Sequence, residues 1–276
     1  MSRRWTALSG THIGSVHVRD GLPLQDSHGV RVDGATAYAA VADGHGHHLH
    51  FRSDVGSALA VDLSLELLAA ALPRMGAVGD MEAALRAVGA DLVGRWTEAV
   101  YAHIEQHPFD PEEQERVTGA DREHLTRPYG STVLAMVATD DLVGVLQIGD
   151  GDAVVVTASG RALRPVPEDP ALDGTRTTSL CQADPMEALR VGALDAAADE
   201  VVLGYLCTDG FSTSRLDRDG WWQQTGAELV SFAREHGFAW IGERLPGWLE
   251  EPARIGGDDT TLALLARADL DPQHTR

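Results

Sequence analysis

Apolar and polar positions change their periodicity several times along the chain, and each change predicts an element. Small and β-branched residues fill positions 36–42 without a break, which predicts a buried strand. Leucine, alanine and valine then recur at helical spacing over about 53–72, and a second helical pattern covers about 80–106. Two long helices are therefore expected to follow the first buried strand.

From residue 131 the pattern changes to short apolar runs that are separated by aspartate and glycine. They predict an antiparallel meander of three strands: 131–138, 141–149 and 152–158. A buried strand is expected next, then two helices and a closing strand: 201–207, about 226–236, about 238–249, and 260–266. This order has no regular strand–helix alternation, so it favours an α+β layered sandwich over a doubly wound fold.

Two segments have weak patterns. The first segment, about 107–128, is charged and predicts a surface loop with at most one short helix. The second segment, about 164–200, predicts a loop-rich excursion with a short helix near 185–189. The 276 residues are enough for one large core, so a single domain over 1–276 is expected.

Charge excludes several classes of function. The net charge is −20, and all 22 basic residues are arginine. The lack of lysine excludes a P-loop lysine, a Schiff-base lysine and a kinase strand lysine. Nucleic acid and anionic membrane would both be repelled, so neither is expected as a partner. The first residues contain no apolar segment of the kind found in secretory signals, and we expect a cytoplasmic protein.

Aspartates recur where apolar strands meet turns. They are Asp26, Asp43, Asp150, Asp209 and Asp258. Any one of them is most simply a turn residue, because aspartate caps local backbone amides. If the strand ends converged, however, the carboxylates would repel each other unless cations lay between them. Oxygen ligands favour Mg²⁺ or Mn²⁺; Ca²⁺ competes, but a twelve-residue calcium loop is lacking.

Histidines crowd the loop after residue 43, at positions 45, 47, 48 and 50. They are compatible with zinc, but no partnering Cys/His pair follows, so exposed loop histidines are the better interpretation.

Six motifs in order carry a resemblance to a known family. They are Gln25-Asp26, Val41-Ala42-Asp43-Gly44-His45-Gly46, Gly130-Ser131-Thr132, Ile148-Gly149-Asp150, Thr208-Asp209-Gly210 and Gly257-Asp258-Asp259-Thr260-Thr261. With them the sequence resembles the metal-dependent protein phosphatases, the type 2C serine/threonine family, in a bacterial branch. The resemblance implies a four-layer α-β-β-α sandwich of two antiparallel sheets flanked by helix pairs.

The resemblance also implies residue roles. Asp43 would bridge two Mn²⁺ or Mg²⁺ ions, with the carbonyl of Gly44 on the second ion, and Asp209 and Asp258 would complete the ligands of the first ion. Asp26 would hold the second ion directly or through water, and Asp150 would join Asp209 on a third ion. His45 would protonate the leaving serine or threonine oxygen, a role that its ordinary pKa suits.

Three positions depart from the family pattern. An amide, Gln25, stands where the family usually has a glutamate, and Asp259 replaces an asparagine. The arginine that usually binds substrate phosphate falls on Gly21, so Arg19 and Arg52 become the candidates for that role.

Two functions from different classes follow from the resemblance. The first is a phosphatase that removes phosphate from phosphoserine and phosphothreonine of proteins and opposes a serine/threonine kinase. The second is a catalytically weak or inactive pseudophosphatase that binds phosphoproteins or a partner, which the changes at Gln25 and Gly21 would permit. The segment of about 164–200 occupies the place of the family's mobile flap.

Overall fold

A computed structural model describes the chain over residues 4–170, 172, 177–215 and 220–272. Two antiparallel five-stranded sheets form its centre. The strands are β1 (Trp5–His12), β2 (Ser27–Asp33), β3 (Thr36–Ala42), β4 (Val133–Ala138), β5 (Leu142–Ile148), β6 (Asp152–Thr157), β7 (Ala162–Leu163), β8 (Arg190–Asp195), β9 (Val201–Cys207) and β10 (Thr260–Arg267). One sheet has the order β1-β10-β9-β6-β7, and the other β2-β3-β4-β5-β8.

The α-helices of the described residues lie outside these sheets or in the connections. They are α1 (Ser15–Asp20), α2 (Ser53–Ala71), α3 (Val78–Gln106), α4 (Pro111–Arg116), α5 (Arg122–Thr126), α6 (Asp209–Thr213), α7 (Trp221–His236) and α8 (Phe238–Gly256). Short 3₁₀ turns add Leu72–Arg74, Arg127–Tyr129, Pro185–Ala188 and Ala268–Leu270.

The elements form four layers, which confirms the predicted α-β-β-α sandwich. Helices α2 and α3 pack on the β2-containing sheet, and α7 and α8 pack on the β1-containing sheet. A third apolar cluster fills the space between the sheets. Strand β3 shows why its sequence is uniformly apolar: Tyr38 and Ala40 face the helices, whereas Ala39 and Val41 face the other sheet.

The predicted three-strand meander is correct for β4 and β5 and wrong for β6. Strand β6 pairs with β9 and β7 in the other sheet. The chain crosses between the sheets at Gly149, whose φ is +114°, and at Gly151, where an added Cβ would lie 2.5 Å from the Cys207 carbonyl oxygen. The glycines therefore permit a crossover, and Asp150 is placed between the ends of the two sheets.

Other segments contain strands and helices that the sequence pattern did not predict. Strands β1 and β2 lie in a region for which no strand was expected, and β8 lies inside the excursion of 164–200. The short helix expected near 185–189 is the 3₁₀ turn Pro185–Ala188. The segment 107–128 has two short helices, α4 and α5, where at most one was expected. Residues 171 and 173–176 of the excursion lie outside the described residues.

Helices α7 and α8 are both longer than their apolar patterns indicated, and α8 contains two prolines. No helix in the described ranges combines the length and the apolar character that crossing a membrane requires.

Candidate metal centre and active site

The motif aspartates lie at one end of the sandwich. Strands β3, β5 and β9 end there, and β2 and β10 begin there, as the pairing of Ser27 with Ala42 and the bond from the Thr208 amide to the Thr261 carbonyl show. Carboxylate oxygens of Asp43, Asp150 and Asp209 all lie within 4.8 Å of one another. The topology thus brings together side chains that are far apart in the sequence.

These three side chains line a cleft of about 570 Å³. Asp258 and the ring of His45 also line it. The cleft therefore has an acidic floor, and His45 lies at its wall.

Burial and mutual repulsion both disfavour the ionised carboxylates of the acidic floor. Burial raises the pKa of Asp43 well above its ordinary range, and the negative charges of Asp26, Asp209 and Asp258 add to the rise. Burial raises the pKa of Asp209 to about 6, with Asp150 and Asp258 contributing. The pKa of Asp258 is also raised, chiefly by burial. Without a cation, the ionised form of these carboxylates is therefore energetically unfavourable in the folded protein.

The donor set fits a hard divalent cation. Asp209 Oδ1 is buried and has no hydrogen-bond partner among the described residues. A buried, unpaired carboxylate oxygen is costly unless a cation or a donor satisfies it. Carboxylate oxygens are the ligands that Mg²⁺ and Mn²⁺ prefer. Within the described residues, Asp43, Asp150 and Asp209 are the one group with spacing suited to a metal ion.

Asp26 lies deeper than these three residues and is not part of their group. Its side chain is buried, and Oδ2 accepts hydrogen bonds from Thr208 Oγ1 at 2.8 Å and Thr261 Oγ1 at 2.6 Å. Burial raises its pKa well above the ordinary range. The two hydroxyl groups fix the Asp26 carboxylate next to Asp43, whose pKa its charge helps to raise.

Asp259 fixes the backbone of the Gln25-Asp26 motif by hydrogen bonds, a larger role than the sequence indicated. Its buried carboxylate accepts hydrogen bonds from the backbone amides of Gly14, Gln25 and Asp26, at 2.7, 2.7 and 3.3 Å. The buried ring of His17 places Nδ1 3.0 Å from Asp259 Oδ1 and Nε2 3.7 Å from Asp258 Oδ1. Sequence reasoning missed His17, because a single histidine on a six-residue helix carries no recognisable signal.

Gly44 occupies a position that has no room for a side chain. An added Cβ would lie 2.5 Å from the Gln25 carbonyl oxygen and 2.8 Å from that of Ser53. Gln25 reinforces this junction, since Nε2 donates to Ser53 Oγ at 2.6 Å, while its buried Oε1 has no hydrogen-bond partner in the described part of the chain. The backbone after Asp43 is therefore fixed by close packing.

The tautomer of His45 follows from its hydrogen-bond partners. Nε2 lies 2.8 Å from Ser179 Oγ, and the Ser179 hydroxyl donates to the Ser131 carbonyl. With the single hydrogen of that hydroxyl on the Ser131 carbonyl, His45 Nε2 is the donor in this pair. Burial lowers the pKa of His45 to about 3, and nearby His50 contributes. The ring is therefore neutral at neutral pH, which corrects the expectation based on its ordinary pKa.

The rings of the remaining loop histidines lie close to one another in tilted and edge-on arrangements. Ring centroids of His47 and His48 are 4.1 Å apart, and His50 Nδ1 lies 2.5 Å from the carbonyl oxygen of Arg127. These histidines do not belong to any group with metal-ligand spacing in the described residues. His47 and His48 are exposed, as expected, whereas His50 is half-buried.

The two arginines expected to bind substrate phosphate have other contacts. The guanidinium of Arg52 binds Glu113 at 2.6 Å, the Tyr129 hydroxyl at 2.9 Å and the His107 carbonyl at 2.7 Å. Arg19 pairs with Asp20 at 2.7 Å, and its side chain is 69% exposed. Neither side chain lines the cleft. The expectation for Arg52 is corrected for a physical reason: its donors already anchor the segment that follows α3.

Comparison with known proteins bears on the family and the fold of the chain. The family model described as protein phosphatase 2C matches residues 13–250. The chain belongs to this family. The match includes five of the six motifs, and the last motif begins at Gly257, beyond the end of the match. No curated protein sequence matches the chain significantly.

Solved structures of bacterial phosphatases share the fold. PstP of Mycobacterium tuberculosis is 19% identical, with a TM-score of 0.58 and 95% of this chain and 98% of that chain covered. A PstP catalytic domain in complex with two manganese ions is 18% identical, with a TM-score of 0.59 and coverage of 95% and 97%. Stp1 of Staphylococcus aureus is 14% identical, with a TM-score of 0.59 and coverage of 96% and 97%. At these identities the similarity shows the fold alone.

Proposed function

We propose that this protein is a Mn²⁺- or Mg²⁺-dependent phosphatase that hydrolyses phosphoserine and phosphothreonine in proteins. The observation that carries the proposal is the meeting of Asp43, Asp150 and Asp209 in an open cleft, with one buried oxygen of Asp209 unpartnered. Family membership supports the same conclusion.

The residues that would hold two or three ions are those at the strand ends. They are Asp26, Asp43, the Gly44 carbonyl, Asp150, Asp209 and Asp258. When bound, divalent ions lower the pKa of a water molecule and neutralise phosphoryl oxygens, which suits phosphate ester hydrolysis. The protein contributes the rigid placement of its ligands, through Asp259 beneath Asp26 and through the packed backbone at Gly44.

His45 is proposed to give a proton to the leaving serine or threonine oxygen. Ser179 holds its ring at the wall of the cleft. Since the buried ring is neutral in this structure, the proposal requires that it gain a proton when the substrate binds. A phosphate dianion favours such protonation, because an opposite charge nearby stabilises the imidazolium ion. The acid role therefore has to be tested separately from metal dependence.

A binding module is the second candidate. Gln25 supports it, because an amide replaces a carboxylate that the family often uses near the second ion. Such a protein would recognise phosphoproteins or a partner without turnover. Phosphorylated proteins, and a serine/threonine kinase with opposing activity, are the partners proposed under the first candidate. The cytoplasmic location remains a prediction.

Hydrolysis with matched variants separates the two candidates. Release of phosphate from an aryl phosphate and from a phosphothreonine peptide is measured with Mn²⁺ or with chelator, for the wild type, Asp209→Asn and Asp62→Asn. Asp62 is exposed on α2 and serves as the control for the change of aspartate to asparagine. If the protein is a phosphatase, the wild type and Asp62→Asn should release phosphate with Mn²⁺, and Asp209→Asn should not. No metal-dependent turnover of either substrate would favour the binding module.

A further inference from the structure

Arg127 lies where a phosphate-binding group is needed. Within residues 4–170, 172, 177–215 and 220–272, it is the one arginine that lines the acidic cleft. The cleft floor is made of carboxylates, so a substrate phosphate requires positive charge from bound ions and from the wall. We propose that Arg127 binds the phosphate of the substrate, an inference that rests on the proposed phosphatase function.

The backbone of Arg127 is fixed against the loop that follows Asp43. Its carbonyl oxygen accepts a bond from His50 Nδ1, and the ring of His50 lies 4.8 Å from that of His45. Further along, the His45 amide donates to the Gly130 carbonyl at 3.1 Å. Residues 127–130 therefore run beside the loop that carries His45, and hydrogen bonds to the main-chain carbonyls of Arg127 and Gly130 hold the two segments together.

The guanidinium retains free donors. Its Nη2 pairs with Glu123 at 3.0 Å, and it makes no other hydrogen bond to a residue in the described ranges. A guanidinium has five N–H donors in a planar fork that matches two oxygens of a phosphate. The Arg127 side chain is 31% exposed, so these donors are accessible. Its positive charge acts on Cys181, which also lines the cleft, and lowers the pKa of that thiol against the dominant effect of burial.

Other arginines near the cleft are held by main-chain carbonyls and do not line it. Arg122 donates to the carbonyls of Leu180 and Gln182 and to Thr97 Oγ1. Arg190 donates to the carbonyls of Gly149 and Pro167 and lies 3.6 Å from Asp169. Arg127 differs from both because a single exposed carboxylate is its partner.

The test measures inorganic phosphate binding to the Mn²⁺-loaded protein by isothermal titration calorimetry, together with KM and kcat for an aryl phosphate. Arg127→Ala is expected to weaken phosphate binding and raise KM by about tenfold or more, because charge-assisted hydrogen bonds are lost. Arg127→Lys should recover part of the loss, since it keeps the charge but not the fork. Affinity for Mn²⁺ should stay unchanged.

Arg116→Ala is the matched control. Arg116 forms the same kind of i,i+4 pair, with Glu112 on α4, and does not line the cleft. Arg127→Ala is expected to fold, because the main-chain contacts of residue 127 remain and Glu123 is 44% exposed. Unfolding temperatures of all variants check this.

The remaining outcomes each have a defined meaning. Unchanged phosphate binding in folded Arg127→Ala overturns the inference, as does an equal loss in Arg116→Ala. Phosphate binding that depends on Arg127 in a protein without turnover supports the inference while rejecting the proposed enzyme. A Mn²⁺-loaded wild type that hydrolyses the aryl phosphate but binds no phosphate overturns the inference alone, and one that does neither overturns both.

Discussion

Replacing Asp209 with asparagine should stabilise the protein when no metal is present. Burial and the charges of Asp150 and Asp258 raise the pKa of Asp209 to about 6 in the folded protein, against an ordinary value of 3.8. A folded-state pKa above the unfolded one means that ionised Asp209 opposes folding. The penalty is fully present above pH 6 and disappears as the pH falls below the unfolded value.

The magnitude follows from the two pKa values. At 1.36 kcal/mol per pKa unit, a rise from 3.8 to about 6 corresponds to about 3 kcal/mol. Asp209→Asn removes this penalty, so the free energy of unfolding at pH 7 in chelator should increase by up to about 3 kcal/mol. Most of the gain should be lost at pH 4, where folded Asp209 is already protonated.

Urea unfolding followed by circular dichroism measures this effect at pH 7 and pH 4. Asp62→Asn, with its exposed side chain, should match the wild type at both pH values. Adding Mn²⁺ should make the wild type more stable than Asp209→Asn. The bound ion stabilises the folded wild type by mass action, whereas Asp209→Asn lacks one of the ligands for the ion. The reasoning is refuted if Asp209→Asn is less stable than the wild type in chelator at pH 7, or if its gain is equal at both pH values.

Three further predictions concern the same site. Mn²⁺ affinity, measured by calorimetry, should fall as the pH decreases from 7 to 5, by up to about tenfold per pH unit below 6, because protons compete for Asp209; equal affinities would contradict this. His45→Ala should reduce kcat far more for a phosphothreonine peptide than for an activated aryl phosphate. Ser179→Ala should reduce kcat in the same direction but by less. Equal losses of kcat on both substrates would argue against an acid role for His45. Asp259→Ala should lower the free energy of unfolding by about 3 kcal/mol or more, because three buried amides lose their acceptor; unchanged stability in urea would show that water replaces the carboxylate.

Strand ends followed by Asp-Gly were predictable from the sequence alone. The run that becomes β3 is apolar on both faces because it lies between the helices and the second sheet, and its end at Asp43 is abrupt. Local composition therefore carried the information for this part of the site. The resemblance to a known family supplied the rest of the aspartate assignments.

Long-range packing explains what the sequence did not reveal. The run 149–152 has the composition of a hairpin turn, but the close approach of Gly151 to Cys207 directs β6 into the other sheet. His17 and Asp259 are 242 positions apart, and no periodicity connects them. Arg52 and Arg127 are both arginines close to family motifs, and only their contacts distinguish a residue that anchors a loop from one with free donors.

The most direct test of the central claim is a Mn²⁺ titration of the metal-stripped protein, with phosphate release from a phosphothreonine peptide as the readout. We predict no release in chelator, a saturable return of activity as Mn²⁺ is added, and no return in Asp43→Asn or Asp209→Asn. Release that persists in chelator, or that survives both substitutions, would contradict the assignment of the acidic cleft as a catalytic metal centre.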